Sequence, residues 1–280
     1  MLLEREEALR AQGYMIDFFG PGWQVAERMQ LITKLKDVGY RIPKVVWMSP
    51  HHRTEASLDY ALLEKMSDGK FISIMRGDLE RSLFEGLPQL VDVRFGSSVQ
   101  AIETRENGIT VLLTNGAIET ADLLIGADGI HSRIRDLIFG KDPRFFRYLG
   151  YHTAALTFND GDLNRWLASE CKIISAPGIE AGFYPLRNNN VGSFFVCGAP
   201  DMALPPDPVT ELKTRYREFG WPVQIALDAA SWSDLYYDQV AQIELSHWSK
   251  GRVVLKETPA TQCHCLPVRA LRSLWKALMS

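Results

Sequence analysis

The apolar and polar positions of this chain follow two periods in succession, one of three to four residues and one of two. Gly13 to Gly22 is turn-rich, and the stretch after it carries Val25, Ala26, Met29 and Ile32 three to four apart. That spacing predicts a short helix with those four on its buried face, started by Pro21 and Gly22. Lys44–Met48 and Phe71–Met75 predict strands. Asp78–Phe84 predicts a helix with Leu79 and Leu83 one turn apart, and Val91–Phe95 a short strand. A hairpin is expected from Val99 through Ile109–Leu113, with a return into a buried strand at Leu123–Ile125. Its turns are marked by Asn107-Gly108 and Asn115-Gly116, steps that favour tight hairpin turns.

The texture changes from Phe145. Strand-like runs at Tyr151–Phe158, Lys172–Ser175, Gly182–Pro185 and Val191–Cys197 are separated by polar turns, which predicts an antiparallel sheet and a second module. Pro205 to Pro208 opens a helical stretch over Val209–Phe219, followed by another over Val223–Ala230. Val253–Leu255, entered from Arg252, is wholly apolar, as strands in the middle of a parallel sheet are.

Composition narrows the classes of partner. The chain has 280 residues and a net charge of −3, so no electrostatic footprint for nucleic acid or an anionic membrane is present. Acidic residues occupy the place of a signal peptide's apolar run, no stretch is apolar enough to span a bilayer, and a cytoplasmic protein is expected. Four cysteines in two distant groups do not make a disulfide scaffold. Cys263-His264-Cys265 has ligand residue types but lacks a second ligand pair, so no metal is expected. His51, His52 and His131 read as surface or capping residues.

The sharpest motif is Ala121-Asp-Leu-Leu-Ile-Gly-Ala-Asp-Gly-Ile-His-Ser-Arg-Ile-Arg135. A strand runs into small residues at Gly126-Ala-Asp128-Gly129, where a ligand can approach the backbone at the carboxyl end of an open sheet. The other reading of Asp128 is a cap on the helix that follows. This motif resembles the second FAD motif of the FAD-dependent aromatic-hydroxylase-type flavoprotein monooxygenases. The resemblance places Asp128 and Gly129 near both flavin and nicotinamide.

Three further stretches fit that family in order. Leu3-Glu4-Arg5 resembles the end of the second strand, whose acid holds the adenosine ribose. Arg10 to Asp17 resembles the segment in which an arginine meets NADPH and an aspartate lies against the flavin. Met75-Arg76-Gly-Asp-Leu79 resembles a helix start whose arginine pairs with the FAD pyrophosphate, a bidentate contact suited to guanidinium. The expected cofactor-binding set is therefore Glu4, Arg5, Arg10, Asp17, Arg76, Leu79, Val99, Asp128 and Gly129, with no catalytic acid or base.

The resemblance implies an α/β (α+β) protein: a truncated, Rossmann-like FAD-binding domain with an inserted antiparallel-sheet substrate domain. Residues 1–40, 71–145 and 246–255 are expected to form the first domain, and 41–70 and 146–245 the second. FAD, NADPH or NADH, oxygen and a small aromatic or polyketide-like substrate are the implied cofactors and partners. Two family features are absent from the sequence: the glycine-rich turn expected ahead of Leu2, and a Gly-Asp-Ala motif after Leu255. Residues 256–280 are expected to be translated out of frame, because codons for Lys256-Glu-Thr-Pro can yield Gly-Asp-Ala in the shifted frame. Impaired activity is the corresponding expectation; a non-catalytic protein and a flavin-dependent reductase are the alternatives.

Overall fold

The computed structural model describes residues 1–9, 13–231 and 234–256. Arg10 and the tail with Cys263, His264 and Cys265, including the out-of-frame reading from 257 onward, lie outside the described residues.

In chain order, β1 (Leu2–Leu3) and β2 (Met15–Phe19) precede α1 (Pro21–Arg28), α2 (Ile32–Val38), β3 (Lys44–Met48), β4 (Thr54–Asp59) and α3 (Tyr60–Met66). Then come β5 (Phe71–Met75), α4 (Arg76–Glu85), β6 (Val93–Arg94), β7 (Val99–Arg105), β8 (Gly108–Leu113), β9 (Ile118–Ala121), β10 (Leu124–Gly126) and α5 (Arg133–Phe139). The long β11 (Phe146–Asn159) leads to α6 (Gly161–Leu167), β12 (Cys171–Ala176), β13 (Ile179–Pro185) and β14 (Asn190–Gly198). Last are α7 (Pro208–Arg215), α8 (Val223–Ala229), β15 (Tyr236–Ile243), β16 (Ser249–Lys250) and β17 (Val253–Leu255).

The chain divides into two compact units. The first comprises Met1–Ala8, Pro88–Leu149 and the described residues from Val240 on; the second comprises Leu9–Leu87 and Gly150–Gln239. Compactness thus groups residues 9–40 and 71–87 with the large sheet, a different partition from the domain boundaries expected above.

The first unit pairs β1 with β6 in parallel, stacks β7, β8 and β9 as an antiparallel meander, and sets β17 between β10 and β16. Its core joins Val99, Ile109, Val111 and Leu113 to Ile134, Val253 and Leu255. The alternation of β8, with Ile109, Val111 and Leu113 buried and the residues between them less so, produces this one-sided packing. Two expectations are corrected here. The return strand of the meander is β9, whereas β10 leaves it to pair in parallel with β17. Nor is the expected Leu123–Ile125 strand buried throughout: Leu123 lies just ahead of β10 and is 50% exposed, and Ile125 within it is 60% exposed.

The second unit is built on a seven-stranded sheet of order β15-β11-β14-β13-β12-β3-β4. It is mixed rather than purely antiparallel, because β12 runs parallel to β3. One face packs Val46, Met48, Ile174, Ala181, Phe183, Phe195 and Leu156 against residues of α6, α7 and α8 such as Leu163, Leu212 and Leu227. Two of these helices, α6 and α7, begin on side-chain caps: Asp160 accepts from Leu163 N, and Asp207 from Val209 N and Thr210 N.

A smaller antiparallel pair, β2 with β5, packs Ile74 on Ala26, Leu31 and Leu35 of the α1–α2 segment. Pro21 starts α1 as expected, its missing N–H costing nothing at the first helical position. The buried face differs from the expected one: Trp23 and Ala26 point inward, while Val25 and Met29 are 54% and 42% exposed. Because the helix stops at Arg28, Ile32 starts a separate helix instead of continuing the same face.

Candidate functional site

In the first unit, β10 ends at Gly126 and the chain turns through Asp128 and Gly129 into α5. Gly126 is fixed by packing, since a Cβ there would lie 2.8 Å from both Ile134 and Leu255. Gly129 has φ +79°, a left-handed conformation natural only to glycine, and has open space where a Cβ would be. Asp128 Oδ1 accepts a 2.5 Å hydrogen bond from Ser132 Oγ, and Oδ2 a 3.0 Å bond from Ile134 N. Ser132 in turn accepts from Arg135 N at 3.0 Å as the N-cap of α5. Asp128 is therefore held as a second cap, and it shapes the turn that leaves Gly129 accessible.

Glu4 and Arg5 follow β1 in the same unit. Glu4 Oε1 accepts from Glu6 N at 2.9 Å, and Arg5 pairs with Glu6 at 3.1 Å on the surface. Val99 is buried in the core, so only its backbone is available to a ligand.

In the second unit, Arg76 is the first residue of α4, directly after β5. Its backbone N–H donates to Tyr14 O at 3.1 Å. Its side chain is exposed, and no hydrogen bond or ion pair joins it to the described residues. Close packing explains Gly13, where a Cβ would stand 3.2 Å from Arg76 Cβ. A guanidinium at a helix start, where the N–H groups after the first lack intrahelical partners, is a site of positive potential suited to a phosphate group. Leu79 sits one turn on and packs on the Ala26–Leu31–Leu35–Ile74 cluster.

Asp17, on β2, is engaged by neighbours the sequence did not indicate. Ser73 Oγ donates to Oδ1 at 2.8 Å and Tyr60 OH to Oδ2 at 3.1 Å. Burial, reinforced by the Asp17 charge, pushes the Tyr60 phenol far above its ordinary pKa. The same two causes push the Cys171 thiol up to about 12. Both groups are locked in their neutral forms, which makes Cys171 a poor nucleophile. Ser73 could have been anticipated from β2–β5 pairing, but Tyr60 has no local sequence signal.

Two of the singled-out histidines pack on aromatic rings. His52 stacks on Trp221 at 6.2 Å, and His131 on Phe146 at 5.9 Å. Among the described residues no cluster of potential metal ligands occurs and no helix is long and apolar enough to cross a membrane.

No family model matches the chain. It is 29% identical over 267 residues to an uncharacterized protein of Mycobacterium tuberculosis, covering 91% of this chain and 69% of that one. It is 26% identical over 272 residues to a flavin-dependent monooxygenase of Legionella longbeachae, covering 91% and 66%. Klebsiella pneumoniae HpxO, solved with FAD and uric acid, superposes with a TM-score of 0.74 at 21% identity, over 90% of this chain and 64% of that one. The fold is that of the flavoprotein monooxygenases, a mixed α/β architecture with a large, mostly antiparallel sheet. The chain is a relative of the FAD-dependent, aromatic-hydroxylase-type monooxygenases, and it spans about two-thirds of the length of those it matches.

Proposed function

We propose that this chain takes part in FAD- and NAD(P)H-dependent hydroxylation of a small aromatic or polyketide-like substrate, in the cytoplasm. The observation that carries the reading is Arg76: an exposed guanidinium at the start of α4 with no hydrogen-bond or ion-pair partner among the described residues. A buried or paired arginine would have argued for a structural role; this one is left for an anion.

The residues present fit FAD in kind. Arg76 would hold the pyrophosphate through charge-assisted hydrogen bonds. The carboxylate of Glu4 would accept the hydroxyls of the adenosine ribose, with Arg5 beside it. The open backbone at Gly129, shaped by Asp128, would admit the flavin closely. Asp17 would stand behind the flavin, and Arg10 would meet NADPH. FAD, when bound, supplies electron transfer from NAD(P)H and activation of oxygen. The chain's own residues bind, orient and exclude water, and none is proposed as a general acid or base.

The test is reconstitution with FAD, followed by flavin fluorescence and NADPH consumption with and without aromatic substrates. FAD binding with substrate-stimulated NADPH oxidation and labelled oxygen in the product, at an impaired level, is the expected result. NADPH oxidation without oxygen incorporation would mean a flavin-dependent reductase. No flavin binding at any concentration would favour a non-catalytic role. Arg10→Ala should raise the NADPH requirement while flavin content stays constant.

A further inference from the structure

The loop between α2 and β3 runs along the first half of β5, joined to it where Tyr40 N donates to Ser73 O at 2.7 Å. The start of α3 is tied to the same loop, Tyr60 N donating to Pro43 O at 2.9 Å. Between the loop, β5 and α3 lies an open cavity of about 220 Å³. By water's share of liquid volume it has room for roughly seven waters, less than a drug-sized ligand needs but enough for an amino acid. It sits at the Phe71 end of β5, whereas Arg76 follows the other end, roughly 16 Å along the strand.

The inner end of the cavity is lined by Ser73, which is 2% exposed, and by Tyr60. Each hydroxyl has a single proton, and both protons are given to Asp17, at 2.8 Å from Ser73 Oγ and 3.1 Å from Tyr60 OH. Toward the cavity the two oxygens therefore offer lone pairs alone, with a carboxylate one hydrogen bond behind them. A ligand oxygen there would meet lone pair against lone pair. An ammonium group would find two acceptors and a negative charge, in surroundings where burial strengthens both. Ile42 and Ile72, both buried, and the Phe71 ring, edge-on to Tyr60 at 5.4 Å, supply apolar walls.

The mouth carries charges of both signs, on Lys36, Arg41 and Glu64. The Lys36 ammonium lies 5.6 Å over the Trp23 ring and is engaged there. Glu64 follows Tyr60 by one turn of α3, so it shares that face and adds negative potential near the inner oxygens. Arg41 is exposed and makes no hydrogen bond or ion pair through its side chain with the described residues. We propose that this cavity binds a small amino acid as its zwitterion: the ammonium on the Ser73 and Tyr60 oxygens, the apolar body between Ile42, Ile72 and Phe71, and the carboxylate on Arg41. No cofactor enters this site, so it stands or falls separately from the hydroxylation proposed above.

The experiment is calorimetric titration of the full chain, without added flavin, with leucine, phenylalanine and 5-aminopentanoate. The tightest binder is then compared with the same molecule lacking its ammonium and lacking its carboxylate; for phenylalanine these are phenylpropionate and phenethylamine. At least one amino acid should bind, and removing its ammonium should weaken binding at least about tenfold. Tyr60→Phe and Ser73→Ala should each weaken the amino acid and the amine alike, by about tenfold. Arg41→Ala should weaken the amino acid by about tenfold and leave the amine unchanged, a split that a disturbed fold would not produce. Where Tyr60→Phe or Ser73→Ala fails to fold, Arg41→Ala at its exposed position still decides. The proposal is overturned if none of the three amino acids binds or if the molecule without its ammonium binds as tightly. It is also overturned if Arg41→Ala affects the amino acid and the amine equally.

Discussion

Ser73 Oγ donates a 2.8 Å hydrogen bond to Asp17 Oδ1 across the rung at which β2 and β5 pair these two residues. With Tyr60 OH on the other oxygen, the carboxylate satisfies two hydroxyls at once. Asp17→Ala should therefore cost more than the loss of one contact, about 2–4 kcal/mol, because both hydroxyls lose their acceptor. Ser73→Ala, which removes donor and leaves Asp17 with Tyr60, should cost about 1 kcal/mol. Urea unfolding of the two variants checks the order. Equal, small effects would mean that Asp17 is held for a ligand rather than for the fold.

Asp128 serves two ends that substitution can separate. Asp128→Ala removes the acceptor for Ser132 Oγ and Ile134 N and should destabilise the first unit by about 1–2 kcal/mol, the usual worth of a cap. Asp128→Asn keeps an acceptor and should recover most of that loss. If flavin affinity also recovers in Asp128→Asn, the residue acts on the cofactor through the turn it shapes. Persistent loss of flavin in a variant of normal stability would point to the charge itself.

How much of this could be read in the sequence depended on how local each signal was. Strands β3, β5, β12, β13 and β14 were legible as apolar or β-branched runs bounded by turns. Strand β4 and helix α3 were missed because Thr54–Asp59 is a mostly exposed edge and α3 buries no residue, so neither carries a periodic apolar signal. The chain's β10 was misassigned because Asn-Gly steps report on local hairpins, while its partner β17 begins at Val253. The site followed the same rule. Gly129 and Ser132 were visible beside Asp128, but Ser73 and Tyr60 stand 56 and 43 residues from Asp17.

Arg76→Ala should leave stability unchanged, since the exposed side chain makes no hydrogen bond or ion pair with the described residues. Its effect should fall on the cofactor, weakening FAD by about 1.5–3 kcal/mol, or roughly 10- to 150-fold. Arg76→Lys should recover only part, because an ammonium cannot make the bidentate contact. Flavin fluorescence titrations beside thermal melts separate the two quantities. A destabilised variant with unaltered flavin affinity would sink the assignment of Arg76 to the pyrophosphate.

His152 should make the second unit sensitive to mild acid. It is buried on β11, its Nδ1 lies 3.1 Å from Tyr237 OH, and the Tyr237 ring meets it edge-on at 5.5 Å. Burial pushes its pKa below the ordinary value, helped by the Arg215 charge; the Met202 backbone, Glu211 and Asp201 oppose this without reversing it. The unfolded chain therefore takes up a proton near pH 6.5, its ordinary value, before the folded chain does. Stability contributed by neutral His152 is complete above that pH and declines as pH falls toward the lower folded value. The slope from this one group cannot exceed about 1.4 kcal/mol per pH unit. Asp207 and Asp142, held below the usual carboxylate range by hydrogen bonds from Thr210 and Arg144, act at lower pH. Urea midpoints at pH 7.5, 6.5 and 5.5 should thus fall for the parent, and fall less for His152→Gln, even though that variant starts lower. Parallel lines for parent and variant would show that the acid sensitivity arises elsewhere.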